Sequence, residues 1–200
     1  MQLHVARSRD LVELVVLGLL AEVPRHPYEM LRQLKLRGNT AFVRGLPRSL
    51  YHAVDQLVSE GSVIALESAR EGTRPERTTY DVSAAGHAEF RQRLRHLLET
   101  PSDQSTFHAA LSMMAGLTRD DSVASLEVRV AAIDAHVAVT EGVLREALTR
   151  LPRLVLVEVE YLRGQLVAEA EWVRTIIANA GSGDLSWELE FGPHADAPAP

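Results

Sequence analysis

The sequence of 200 residues contains no cysteine. Disulfide bonds, thiolate metal sites and thiol catalysis are therefore excluded, and the composition fits a reducing compartment. Residues 11–21 form an apolar run, but Glu13 interrupts it and it is too short to span a bilayer. No secretory signal is recognisable. We expect a soluble, cytoplasmic protein without membrane contact.

The sequence motifs of common enzymes are also missing. There is no His-Glu-x-x-His pattern, no Gly-x-Ser-x-Gly elbow and no glycine loop that would cradle phosphate. His52 and Asp55 lie one helical turn apart, but no third metal ligand accompanies them. We therefore expect neither an enzyme nor a cofactor or metal site.

Acidic residues exceed basic ones, which at first argues against nucleic-acid binding, since the net charge is −6. The two halves of the chain differ. Residues 1–100 hold 14 basic and 12 acidic residues, a net charge of +2, whereas residues 101–200 hold 7 and 15, a net charge of −8. The first half can still present a basic face to DNA.

Apolar spacing in the first half predicts three helices, a β-hairpin and a fourth helix. Ser8 is a plausible N-cap, Pro27 and Pro47 suit first helical positions, and Gly38 and Gly61 suit helix ends. The predicted helices cover 8–21, 27–36, 47–59 and 84–98, and the predicted strands cover 62–68 and 77–82. This order is typical of a winged helix-turn-helix domain, which we place at 8–99.

The second half predicts helices and a loose tail. A short helix near 106–116 follows a linker at 100–105, and long helices follow near 119–149 and 153–180. The first long helix carries a heptad seam: Val123, Leu126, Val130, Ile133, Val137, Thr140, Leu144, Ala147 and Leu151. We interpret 105–180 as a helical dimerisation domain and 181–200 as a flexible tail. The fold class is thus mainly α with a small β-hairpin.

The winged-helix order gives the exposed polar residues of the first half a common interpretation. The third helix would enter the major groove of double-stranded DNA, and the hairpin would reach phosphates nearby. The candidate DNA contacts on this basis are Arg44, Arg48, Ser49, Tyr51, His52, Arg70, Arg74 and Arg77. Each has a plainer alternative: a solvated turn for the hairpin arginines, a helix cap for Arg48 and Ser49, and a core position for Tyr51.

Four segments resemble the PadR family of bacterial transcriptional regulators. They are LVVLGLLAE at 14–22, HPYEM at 26–30, SLYHAVDQL at 49–57 followed by Glu60-Gly61, and TYDVSAAG at 79–86. The spacing of these segments agrees with the family throughout. The chain departs from it at Pro27, at Pro47-Arg48 and at Asp55, where relatives carry glycine, glycine or threonine, and a basic residue.

The resemblance implies site residues and an assembly. Tyr28, Ser49 and Tyr51 match positions that help to bind DNA in relatives, while the hairpin arginines match only by location. Relatives are homodimers, and a homodimer would bind a pseudo-palindromic operator. The resemblance also implies that the protein is a repressor. From the heptad seam and a second apolar stripe on the last long helix we predict these dimer contacts: Leu126, Val130, Ile133, Val137, Leu144, Leu162, Leu166 and Val173.

Some relatives respond to small aromatic effectors, which would release the DNA. Phe107, Met113, Met114 and Trp172 are the candidate lining of such a pocket in this chain. Aromatic and methionine residues at helical spacing are more often core residues, and that alternative stays open.

A rival hypothesis comes from another class of protein. A winged-helix protein-interaction module could dimerise without reading DNA. The arginines of the hairpin argue mildly against it, because such a module has no need of positive charge there.

Overall fold

A computed structural model describes residues 8–41, 45–66 and 78–187, which form seven α-helices and one two-stranded antiparallel sheet. The helices are α1 (Ser8–Glu22), α2 (Pro27–Leu36), α3 (Arg48–Ser59), α4 (Ala84–Glu99), α5 (Gln104–Ser112), α6 (Arg119–Ala147) and α7 (Val157–Ser182), and the strands are β1 (Val63–Ala65) and β2 (Tyr80–Val82). Short 3-10 helices cover Asn39–Ala41, Met114–Gly116 and Arg153–Leu156. The predicted fold class is confirmed.

Some predicted helix bounds are wrong by a few residues. Helix α5 begins at Gln104, inside the expected linker, because the Asp103 carboxylate accepts hydrogen bonds from the backbone N–H groups of Ser105 (3.0 Å) and Thr106 (3.2 Å). Pro47 lies just before α3 rather than in its first turn. The segment expected to open the last helix begins as a 3-10 turn before α7.

Helix α1 lies at the centre of the main core. It packs against α3, α4 and β2 and is apolar nearly all round, as a helix covered on several sides must be. Its buried hydrophobic residues are Leu11, Val12, Leu14, Val15, Val16, Leu17, Leu19 and Leu20. The chain itself supplies this cover.

Helices α6 and α7 pair as an antiparallel hairpin. Ion pairs cross it from Arg163 to Glu141 and from Arg174 to Asp134, and the heptad seam of α6 faces α7. The buried seam residues are Leu126, Ile133, Thr140 and Leu144 of α6 with Leu166, Ala170 and Val173 of α7. Within the described residues no helix, these two included, is long and apolar enough to cross a membrane.

One buried arginine joins this hairpin to the end of α4. The Arg129 side chain is 0% exposed, and its Nε donates to Glu169 Oε1 at 2.7 Å. Its Nη1 donates to the carbonyl of Thr100 at 2.6 Å, and the guanidinium lies 3.6 Å from the centre of the Phe107 ring. Burial lowers the pKa of Arg129, and Glu169 opposes that shift. Arg129 therefore fixes the last turn of α4 against α6 and α7.

Candidate nucleic-acid interface

Helix α3 has one buried face and one outward face. Leu50, Ala53, Val54 and Leu57 are buried, and α3 packs against α1 through the main core. This apolar stripe at helical spacing fixes which side chains α3 turns to solvent. The outward residues Arg48, His52 and Asp55 are exposed, as Tyr51 also is at 44%. Tyr51 is therefore not a core tyrosine, and that alternative is wrong.

The start of α3 borders a shallow depression of about 400 Å³, lined by Gly45, Arg48, Ser49 and His52. Gly45 adopts a positive φ of 79°, and its carbonyl accepts the N–H of Ser49 at 3.2 Å. Pro47 supplies no side-chain cap. The first turn of α3 therefore places Arg48, Ser49 and His52 around this depression, and the Arg48 guanidinium favours a phosphate there.

Helix α2 contributes an exposed tyrosine. His26 caps the helix, because its Nδ1 accepts the N–H of Tyr28 at 3.0 Å while Glu29 accepts the N–H of His26 at 2.9 Å. This cap holds the start of α2, and the Tyr28 side chain next to it is 62% exposed. A tyrosine in such a place offers a hydroxyl for hydrogen bonding to a phosphate or a base.

The two-stranded sheet forms the base of the predicted β-hairpin, which is the wing of the domain. Val63 pairs with Val82 and Ala65 with Tyr80, and Arg25 adds a bridge to Tyr80 on the other side. The described strands are shorter than those predicted. Residues 67–77 lie outside the described residues, and with them Arg70, Arg74 and Arg77; so does Arg44. Their predicted DNA contacts stay predictions.

The base of the wing is closed by α4. The Ser83 hydroxyl accepts the N–H of Gly86 at 3.0 Å and donates to the Gly61 carbonyl at 2.7 Å. A Cβ placed on Gly86 would lie 2.0 Å from the Ser62 carbonyl oxygen, so only glycine allows α4 to approach β1 this closely. The TYDVSAAG segment therefore has a structural reason for its last residue.

The predicted pocket residues do not line a single pocket. Met113 borders a cavity of about 680 Å³ between α1 and α4, together with Gly18 and Phe90. Phe107 and Trp172 border a separate cavity of about 460 Å³, which we call the α5–α7 cavity. Met114 packs on the main core. The structure thus divides the four residues between two cavities and the core, and their role in binding an effector stays a prediction.

Most of the predicted dimer contacts are side chains that the chain itself buries. Leu126, Ile133, Leu166 and Val173 are buried, and Leu144 is nearly so. The remaining three, Val130, Val137 and Leu162, are partly buried against the same two clusters of core residues. Contacts within the chain therefore bury five of these side chains and cover part of the other three, and their role in a dimer stays a prediction.

Sequence reasoning missed Arg129. Its position carried a signal, because Arg129 lies three residues after Leu126 and four before Ile133, on the same face as the seam. A charged residue on an apolar face indicates a buried partner, and Glu169 is that partner.

Three helices with the third turned outward, a two-stranded wing and a fourth helix define a winged helix-turn-helix protein. Residues 16–92 match the model of the transcriptional regulator PadR-like family. This match places that part of the chain in the PadR-like family, so the resemblance is confirmed. Because the family consists of transcriptional regulators, the expectation that the chain is not an enzyme is confirmed as well.

Solved structures of low identity are similar to the chain. The smu.1604c protein of Streptococcus mutans is 17% identical, with a TM-score of 0.39 over 83% of this chain and 98% of that one. Bacillus subtilis PadR in complex with operator DNA is 18% identical, with a TM-score of 0.40 over 84% and 96%. The PadR-like regulator BC1756 of Bacillus cereus is 17% identical, with a TM-score of 0.37 over 84% and 94%. No curated protein matches the chain significantly.

Proposed function

We propose that the protein binds operator DNA in the cytoplasm and represses transcription, with α3 in the major groove and the wing on the neighbouring backbone. The observation that carries this proposal is the outward face of α3, where Arg48, Tyr51 and His52 are exposed while the opposite face is buried in the core. The family match supports a regulatory role. Tyr28 and Ser49 extend the proposed contact surface, and Arg44, Arg70, Arg74 and Arg77 complete it.

The proposed DNA-binding form is a homodimer. Apolar side chains stay exposed on the outer face of α6, at Val128, Val139 and Val143, and at the tip of the hairpin, where Leu154 is 82% exposed. These residues are better candidates for a partner contact than the seam, because the seam is already covered. A dimer would present two α3 helices to a pseudo-palindromic site with half-sites about 34–36 Å apart.

Substitutions on α3 test the proposed contacts. Arg48→Ala removes a phosphate ligand, and we expect it to weaken binding to the DNA upstream of the gene about tenfold at moderate salt, equally for all sequences. His52→Ala and Ser49→Ala are expected to change the preference among sequences. Fluorescence anisotropy with a labelled duplex measures both effects. The control is Arg150→Ala, at an exposed position just after α6. Equal affinity of Arg48→Ala and the wild type would contradict this orientation of α3.

Release of the DNA by a small molecule is the regulatory part of the proposal. Two cavities of ligand size, about 680 and 460 Å³, support it. The first lies between α1 and α4 of the winged region (residues 8–99) and the end of α5, so an occupant would touch elements of both regions. The second lies between α5 and α7, outside the winged region.

A further inference from the structure

The α5–α7 cavity has an apolar wall and an acidic rim. From α5 it is lined by Phe107 and Leu111, and from α7 by Leu162 and Trp172. The Trp172 ring meets the Phe107 ring edge to face at 6.4 Å, yet Trp172 is 46% exposed. An exposed indole above a cavity of about 460 Å³ offers a flat apolar surface to a small ligand.

Two carboxylates, those of Asp103 and Glu169, line this cavity beside the polar residues Ser102, Gln104, His108 and Gln165. The partly exposed Glu169 uses Oε1 for Arg129, and Oε2 has no hydrogen bond within the described residues. Burial of Asp103 is outweighed by the hydrogen bonds from Ser105 and Thr106, so its pKa is lowered and its carboxylate is charged at neutral pH. Ser102 lines the cavity with a buried hydroxyl that has no hydrogen-bond partner among the described residues. Because unsatisfied buried hydroxyls are uncommon, this group is available to hydrogen-bond with an occupant of the cavity.

We propose that the α5–α7 cavity binds an organic cation, whose apolar body lies on Trp172 and whose positive charge pairs with Glu169. An indole face and a carboxylate together attract a cation and repel an anion. The −8 charge of residues 101–200 acts in the same direction over a longer range.

The position of Glu169 couples this site to the winged region. Glu169 holds Arg129, and Arg129 holds the Thr100 carbonyl at the end of α4. A bound cation competes with Arg129 for the same carboxylate and so weakens the link between α4 and the hairpin. The expected effect on DNA binding rests on the proposed function. A bound cation lowers the affinity of the protein for operator DNA, and bound DNA lowers its affinity for the cation by the same factor.

Calorimetry on the full chain without DNA tests the site. The probe is tetraphenylphosphonium, and the matched control is tetraphenylborate, which has the same shape and the opposite charge. We expect the phosphonium to bind and the borate to bind at least tenfold more weakly. Trp172→Leu leaves the Arg129–Glu169 pair intact and should weaken phosphonium binding about fivefold. Glu171→Gln, an exposed change on the same helix outside the cavity, should have no effect.

Glu169→Gln is the direct test of the carboxylate, with an expected loss of about tenfold, but it also removes the partner of buried Arg129. Trp172→Leu keeps the proposal testable if that variant does not fold. Equal binding of both ions, or unchanged phosphonium binding by Trp172→Leu, would overturn the site. If Trp172→Leu instead dissociates a dimer and the phosphonium does not bind, the cavity is an interface and the proposal is wrong.

The second arm adds the labelled duplex. We expect saturating phosphonium to weaken DNA binding by wild type at least fivefold and to leave DNA binding by Trp172→Leu less affected. Phosphonium binding with unchanged DNA affinity would overturn the coupling. A chain that binds the phosphonium but no DNA would contradict the proposed function and leave the cation site standing.

Discussion

The winged region and the α6–α7 hairpin differ in how far they bury their apolar side chains. In the winged region, α1 carries apolar residues nearly all round, and the chain covers them completely. The hairpin buries only its seam and leaves Val139, Val143 and Leu154 exposed. The halves of the chain also differ in charge, +2 against −8. Helix α1 is thus covered within one chain, while the hairpin offers apolar surface for further contacts.

An apolar stripe on a helix indicates a partner helix, which can belong to the same chain or to another one. The α6 seam indicated a partner helix, and the partner is α7 of the same chain. The apolar surface that stays exposed lies outside the seam, on positions that periodicity alone marks as solvent-facing. The following changes test each side of the comparison, beginning with the link between the two regions.

Arg129→Met should have the largest effect on stability. It removes the ion pair with Glu169 and leaves the Thr100 carbonyl without its donor, so we expect a loss of about 3 kcal/mol in the free energy of unfolding. Urea denaturation followed by circular dichroism measures it. Arg150→Met, where the pair with Glu146 is exposed, should change stability by less than about 0.5 kcal/mol. Equal effects of the two changes would show that Arg129 links nothing.

Gly86→Ala and Gly164→Ala compare the two regions directly. The Cβ at 86 would meet the Ser62 carbonyl oxygen at 2.0 Å, so we expect destabilisation by about 2 kcal/mol. At 164, in the middle of α7, a Cβ would meet no atom within 4 Å apart from the adjoining backbone of its own helix, and alanine should stabilise the helix by about 0.5–1 kcal/mol. Thermal unfolding of both variants gives the signs. A stable Gly86→Ala variant would contradict the close approach of α4 to β1.

Leu154→Ser tests whether the hairpin tip contacts a second copy. If a dimer buries Leu154, its loss from each protomer should weaken the dimer at least tenfold. The stability of the monomer should change little, because Leu154 is exposed there. Leu36→Ser, at an exposed leucine of the winged region, should leave the dimer intact. Sedimentation velocity across a concentration series distinguishes the variants. A dimer that resists Leu154→Ser would move the interface away from the tip.

Asp103→Ala removes the cap of α5 and should cost about 1 kcal/mol at pH 7. Because the pKa of Asp103 is lowered in the folded state, its contribution is complete above its ordinary value of 3.8 and is lost as the pH falls through the folded pKa. The difference from wild type should therefore shrink in acid. Ser83→Ala removes the uncharged cap of α4 and should cost the same at every pH. A pH-independent Asp103 effect would contradict the role of its charge.

Sequence periodicity predicted the elements of the winged region well. Apolar spacing, Pro27 at a helix start and Gly61 as a stop are local signals, and α1, α2, α3 and α4 lie close to their expected positions. The start of α5 was missed, because Asp103 was assigned to a linker although it is a good cap. The placement of Phe107 and Met113 in different cavities depends on long-range packing, which no short window of sequence contains.

The salt dependence of binding to the DNA upstream of the gene tests the central claim most directly. The claim predicts that the logarithm of the association constant falls linearly with the logarithm of the salt concentration, with a total loss of at least tenfold between about 50 and 200 mM. Arg48→Ala should lower the magnitude of that slope by about 1. No binding at 50 mM salt, to either the upstream DNA or bulk DNA, would contradict the account and favour a winged-helix module that binds proteins.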